Sequence, residues 1–262
     1  MRRESLERNR IMNRENAAAR RPTASRVRRT YVAKLVGRCV ILSAAFVLCF
    51  AAPEQFTVLE GKNFFRQFSL FHLLWAVWML DMFYQLIPVK NEIALGSQKL
   101  WRHRFRPIRD KINTHLLKQY IVSTTKSAYL VMLLWAAMIA VLGVLRARGV
   151  IGEKFLLMTS VVFYVCDLIC VLIWCPFRLI LKNRCCTTCR IFNWDHLMMF
   201  SPLIFVSGFY ARSLVIVAAV CWMIWELCVL QYPERFWEWS NEALKCSNCT
   251  DKLCTQYCQK LR

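Results

Sequence analysis

Apolar and polar positions alternate along this chain in long blocks. Six blocks are apolar enough to cross, or nearly cross, a bilayer: residues 35–52, 68–88, 128–145, 155–177, 196–210 and 213–231. A membrane helix needs about 20 such residues, so each block predicts one span. The fifth is the shortest and would rise only about 22 Å as a helix. It is expected to borrow Asn193, Trp194 and Asp195 or to form a tight hairpin with the sixth.

The basic residues orient these spans. Thirty of the 36 lysines and arginines lie before Cys39, in residues 89–127, in residues 178–195 or after Gln231; the three alternate connections hold the other six. Positively charged loops resist translocation, so the protein is assigned to the plasma (inner) membrane with both termini cytoplasmic. The expected fold class is all-α: a polytopic transmembrane helix bundle of about six spans, N-in and C-in, with a small cytoplasmic cysteine-rich metal-binding element.

Three regions follow. Residues 1–34 form a basic cytoplasmic arm without a useful apolar face, expected to be disordered and to meet anionic lipid of the inner leaflet. Arg28 and Arg29 precede an apolar run in the manner of an export signal, but Arg38 interrupts that run, so the first span is read as retained. Residues 35–231 form the six-span domain, including a basic amphipathic segment over 89–127. There Ile108, Ile112, Leu116 and Tyr120 recur every fourth residue. The recurrence fits a helix lying in the headgroup layer, or equally a cytoplasmic extension of the third span. Residues 232–262 form a cytoplasmic tail rich in cysteine.

Composition agrees with this organisation. The chain is 57% hydrophobic, too apolar for a soluble domain of 262 residues. Its net charge of +20 is mostly a consequence of topology, and no nucleic-acid recognition pattern accompanies it, so no nucleic-acid partner is expected.

Half of the fourteen cysteines lie in two clusters on the cytoplasmic side: Cys185, Cys186 and Cys189, then Cys246, Cys249, Cys254 and Cys258. A reducing cytosol disfavours disulfides, which leaves metal ligation as the usual employment of paired Cys-x-x-Cys units. Cys186 and Cys189 with Cys246 and Cys249 could supply four thiolates to one ion, or the tail's four could do so alone. Zinc is favoured over an iron–sulfur cluster, because Cys254 stands five positions after Cys249 and Gln259 follows Cys258, neither matching bacterial ferredoxin spacing. The expected role is structural, or redox coupling to a cytosolic protein partner. The other seven cysteines lie in or at spans and read as small packing residues, although Cys166 and Cys170 share a helical face and flank Asp167, as a pathway for a soft metal would require.

Asp81, Asp167 and Glu226 interrupt the second, fourth and sixth spans. A charge at the bilayer centre costs about 2.5–3.5 kcal/mol, so these acids must face the bundle interior or be neutralised. They suit either a proton or cation relay, as in a small secondary transporter or channel, or helix-fixing pairs with Arg38, His196, Tyr84 or Arg178. A third reading, a thiol oxidoreductase using Cys186 and Cys189, lacks a thioredoxin-like strand pattern. Haem ligation is not expected, since only His72 and His196 approach spans and at opposite faces. No phosphate loop, nucleophile elbow or metalloprotease helix is present, and no catalytic residue is assigned.

Overall fold

The computed structural model describes residues 26–87, 100–102, 105–108, 112–181 and 189–245. All regular elements among them are helical; the nearest thing to sheet is one isolated antiparallel bridge between Pro107 and Asn241. The α-helices are α1 (Arg26–Ala51), α2 (Phe71–Leu86), α3 (Thr114–Ala147), α4 (Glu153–Leu172), α5 (Arg178–Leu181), α6 (Asp195–Phe200) and α7 (Phe209–Gln231). Four of these, α1, α3, α4 and α7, are long and apolar enough to cross a membrane. With 16 residues, α2 rises about 24 Å.

Burial distinguishes the inner helices from the outer ones. Half of the most apolar window of α4 is buried inside the protein, against 11% for α1 and 17% for α3. The outer helices instead expose rows of large apolar side chains, Val36, Val40 and Val47 on α1 and Leu130, Leu133 and Leu134 on α3. In water such rows would be costly; against lipid they are the expected surface. The core contains Trp78 of α2, whose ring packs against Tyr164 of α4 at 5.8 Å and Phe200 of α6 at 5.0 Å between centroids.

Three elements differ from the sequence expectation. The first helix begins at Arg26, inside the segment assigned to the basic arm, because Tyr31 and Leu35 pack on Leu168, Val171 and Leu172 of α4. The four-residue recurrence from Ile108 does not make one helix. Ile108 instead lies in an extended segment whose N–H donates to Ser240 O, and α3 starts only at Thr114. Asn113 sets that start: its side chain accepts from the backbone N–H of His115 and Leu116, satisfying donors that every helix start leaves open. Leu116 and Tyr120 therefore belong to the first turns of a 34-residue helix, as the extension reading expected.

The fifth apolar block is not one helix either. It consists of α6, a 3₁₀ turn over Ser201–Phe205 and an extended return through Val206 to α7. Pro202 lacks an N–H and cannot continue an α-helix from α6. The break is covered by protein: Phe200, Leu203 and Val206 are all at most 2% exposed, and Trp135 of α3 donates from Nε1 to Ser201 Oγ at 3.0 Å. At the far end Gly208 approaches the connection between α1 and α2 so closely that a Cβ there would lie 1.9 Å from Leu59 O. The next N–H, of Phe209, donates to Gly61 O at 3.3 Å.

Candidate functional site

Charged residues within the apolar helices converge on α1. Arg38 is buried near the middle of that helix, and its Nη1 donates to Asp167 Oδ2 of α4 at 2.8 Å and to the Tyr164 carbonyl at 2.7 Å. Its guanidinium lies 3.9 Å from the centroid of the Tyr164 ring, a cation–π contact. On the other side Nη2 reaches Asp81 Oδ2 of α2 at 3.5 Å. Asp81 in turn lies 3.5 Å from Nε2 of His196, whose Nδ1 is 3.0 Å from Asp195 Oδ1. Gln85 donates to the other Asp195 oxygen at 3.3 Å. The result is a chain of three carboxylates, one guanidinium and one imidazole joining α1, α2, α4 and α6.

Glu226 does not share these partners. Its carboxylate accepts from Arg190 Nη2 and from Trp194 Nε1, each at 2.6 Å, and Arg190 also donates to Thr125 Oγ1 of α3 at 2.6 Å. This second group ties the segment before α6 to α3 and to the last turns of α7. Of the partners anticipated from sequence, Arg38 and His196 are found on Asp81, and Arg38 on Asp167. Arg190, Trp194 and Asp195 were not anticipated, although the run Asn-Trp-Asp-His at the mouth of an apolar block could have drawn attention to them.

Beside the first group lies a cavity of about 270 Å³ bounded by α3, α4, α6 and the segments around Cys175 and Cys189. Its wall is mostly apolar, but Asp167 and Asp195 line it, and so do Cys166, Cys170, Cys175 and Cys189. Charge network and cysteine-lined space therefore adjoin.

The cysteine clusters themselves are only partly described. Cys189 is the one member of the seven within the described residues; Cys185, Cys186, Cys246, Cys249, Cys254 and Cys258 lie outside them. Among the described residues no three His, Cys, Asp or Glu side chains are grouped so as to hold a metal ion. What the structure does supply is the setting of Cys189 and of the tail's root. Cys189 and Tyr120 line one narrow crevice with Pro233 and Phe236, and the Tyr120 ring stacks on Trp237 at 5.6 Å.

From there the tail is pinned to the segment that precedes α3. Arg235 donates to Leu100 O at 3.0 Å, Glu242 N–H to Arg106 O at 2.8 Å, and Asn241 Oδ1 accepts from the N–H of Arg106 at 3.3 Å. Ser240 and Asn241 are fully buried by this docking. Lys245, one residue before Cys246, donates its N–H back to Glu242 O.

Comparison with known proteins adds no kinship: no family model, no curated protein and no solved structure matches the chain.

Proposed function

We propose that this is a six-pass plasma-membrane protein whose cytoplasmic thiols grip a metal ion, with the loop carrying Cys185, Cys186 and Cys189 and the tail carrying Cys246, Cys249, Cys254 and Cys258 as the ligand set. The observation that carries this reading is the shared crevice in which Cys189 meets Pro233 and Phe236 against Tyr120. The last thiol of one cluster and the root of the other thus stand on the same side of α3. Two Cys-x-x-Cys pairs so rooted suit a tetrahedral zinc site, and an iron–sulfur cluster is the second occupant of the same chemistry.

Support for six crossings comes from the two ends of α7. Phe209 bonds Gly61 between α1 and α2, whereas Glu226, about 25 Å further along the helix, bonds Arg190. Residues 190–208 therefore join the two ends of α7 despite their broken helix, which, with the 16-residue α2, favours six passes over the four made by the long helices alone. The distribution of Lys and Arg then sets both termini in the cytoplasm, where the basic flanks meet anionic lipid.

A zinc ion there is structural, holding the tail to the membrane domain with an apparent binding energy of roughly 10–16 kcal/mol if it resembles finger sites. A cluster would couple electrons to a cytosolic partner. Anaerobic purification followed by elemental analysis and an absorption spectrum tests both. Protein with neither zinc nor iron–sulfur absorbance, gaining neither on anaerobic reconstitution, overturns the proposal.

A second reading rests on the Arg38 group. Ionisable residues inside a membrane bundle are functional sites by default, and here Asp81 and Asp167 share one guanidinium while His196 links Asp81 to Asp195. That arrangement suits a relay of protons or cations. Loss of no flux, including proton flux, from vesicles carrying the Asp81→Asn and Asp167→Asn variants would leave the group a purely structural fastening.

A further inference from the structure

The cavity beside the Arg38 group combines two kinds of lining that are rarely adjacent. Asp167 and Asp195 stand on an otherwise mostly apolar wall, whereas the cations of the group, Arg38 and His196, do not line it. Asp195 has both oxygens engaged, Oδ1 by His196 and Oδ2 by Gln85. Arg38 bonds Oδ2 of Asp167 and not Oδ1, which leaves Oδ1 as an acceptor for a ligand. Aromatic rings line the same space. Phe163 stands one turn before Asp167 on α4, so the two share a face, and the Trp135 ring lies 4.8 Å from Phe163 and 6.4 Å from Phe177 between centroids. Ring faces attract cations, and a carboxylate beside them adds to the attraction.

We propose that this cavity binds a small lipophilic amine in its protonated form. The ammonium donates to Asp167 Oδ1, and the carbon body lies against Phe163, Trp135 and Phe177. Size agrees with this occupant: an apolar cavity of about 150 Å³ admits benzene, so the 270 Å³ here has room for a ring with a short amine arm. Charge narrows the class. The adjoining group sets three carboxylates against one guanidinium and one imidazole, a balance that draws a cation and repels an anion. A hydrated inorganic ion would have to give up its water to a mostly apolar wall, whereas an amine brings apolar surface of its own. The cysteines on the wall, Cys189 included, contribute soft packing surface to this site and no bond. The proposal draws on the same carboxylates as the relay reading but needs no transport, so a protein that binds the amine and carries no flux would lose the relay and keep the site.

The test is isothermal titration of the full-length reduced protein in detergent, against protein-free micelles, with three probes of similar shape: phenethylammonium, phenethyl alcohol and hydrocinnamate. Phenethylammonium is expected to bind about tenfold or more tightly than the alcohol, and the hydrocinnamate anion more weakly than either. Asp167→Asn should bring the ammonium down to the level of the alcohol while leaving the alcohol where it was, which shows the cavity intact. Phe163→Leu, which leaves the Arg38 pair in place, should narrow the preference for ammonium over alcohol about two- to fivefold. Phe46→Leu, on α1 and off this wall, should change neither probe. Wild-type protein with no saturable ammonium binding, or with alcohol and ammonium bound alike, overturns the site. So does a preference that survives Asp167→Asn, or one lost equally in Phe46→Leu. Should Asp167→Asn fail to fold, Phe163→Leu decides by the same comparison, an undiminished preference there overturning the proposal.

Discussion

Arg38 and Asp167 stand 129 positions apart in sequence and 2.8 Å apart in the fold. The pair fastens the first helix to the fourth at a depth where neither charge could remain alone. Breaking a buried ion pair from one side strands the other charge, at a cost of about 3–5 kcal/mol. Arg38→Met is therefore expected to be among the most destabilising single changes in the bundle, since it strands Asp167 and leaves Asp81 with His196 alone. Asp167→Asn should cost less, because Arg38 keeps the Tyr164 carbonyl and Asp81. Thermal unfolding in detergent, followed by tryptophan fluorescence, ranks the two.

Glu226 and Arg190 are expected to be energetically coupled. In a double-mutant cycle with Glu226→Gln and Arg190→Met the interaction energy should be about 0.5–3 kcal/mol, the range found for residues in direct contact. Glutamine retains an oxygen for Trp194 Nε1, so Glu226→Ala should be worse than Glu226→Gln. Equal effects of the two substitutions would show that the Trp194 bond adds little.

Three glycines should respond differently to alanine. At Gly208 the new methyl would meet the Leu59 carbonyl carbon and oxygen at 2.7 and 1.9 Å, backbone atoms that cannot swing away, so the return into α7 must shift. At Gly143 it would meet the ring of Phe205 at 2.5 Å, a side chain able to rotate. At Gly152 nothing lies within 4 Å. The expected order of lost stability is Gly208→Ala, then Gly143→Ala, then Gly152→Ala, the first about 3 kcal/mol or more and the last within about 0.5 kcal/mol. Unfolding midpoints of the three variants check it.

Tyr120 should govern the docking of the tail. Its stack on Trp237 is a contact of a kind worth about 0.5–1.5 kcal/mol. Tyr120→Ala is expected to raise trypsin cleavage at Lys245 several-fold and to lower the occupancy of the proposed metal site. Tyr120→Phe, which keeps the ring and gives up only a 3.5 Å bond to Phe236 O, should do neither. Peptide mapping and elemental analysis report the two effects separately.

The long helices were legible because a lipid-facing helix must be apolar over its whole length, and α1, α3, α4 and α7 fall where the blocks placed them. The break at Pro202 was not, because a segment walled in by protein has the same apolar composition as one facing lipid. Pairing of Asp81 and Asp167 with Arg38 was legible from cost alone, since isolated charges at that depth are prohibitive. Arg190 was hidden by its surroundings: set among cysteines and other cations, it read as one more topology-setting charge rather than the partner of Glu226. Ile108 misled for a different reason. A four-residue apolar recurrence is also satisfied by an extended segment that packs one side on its neighbours, and Asn113 capped the helix after it.

Because Pro202 leaves residues 201–208 without a continuous backbone ladder, this stretch would expose unsatisfied amide groups if it entered hydrocarbon by itself, each costing several kcal/mol. Its sheath is α3, α4 and α7, and the last of these is synthesised after it. The ribosome must therefore have passed Gln231 before the stretch can take its place.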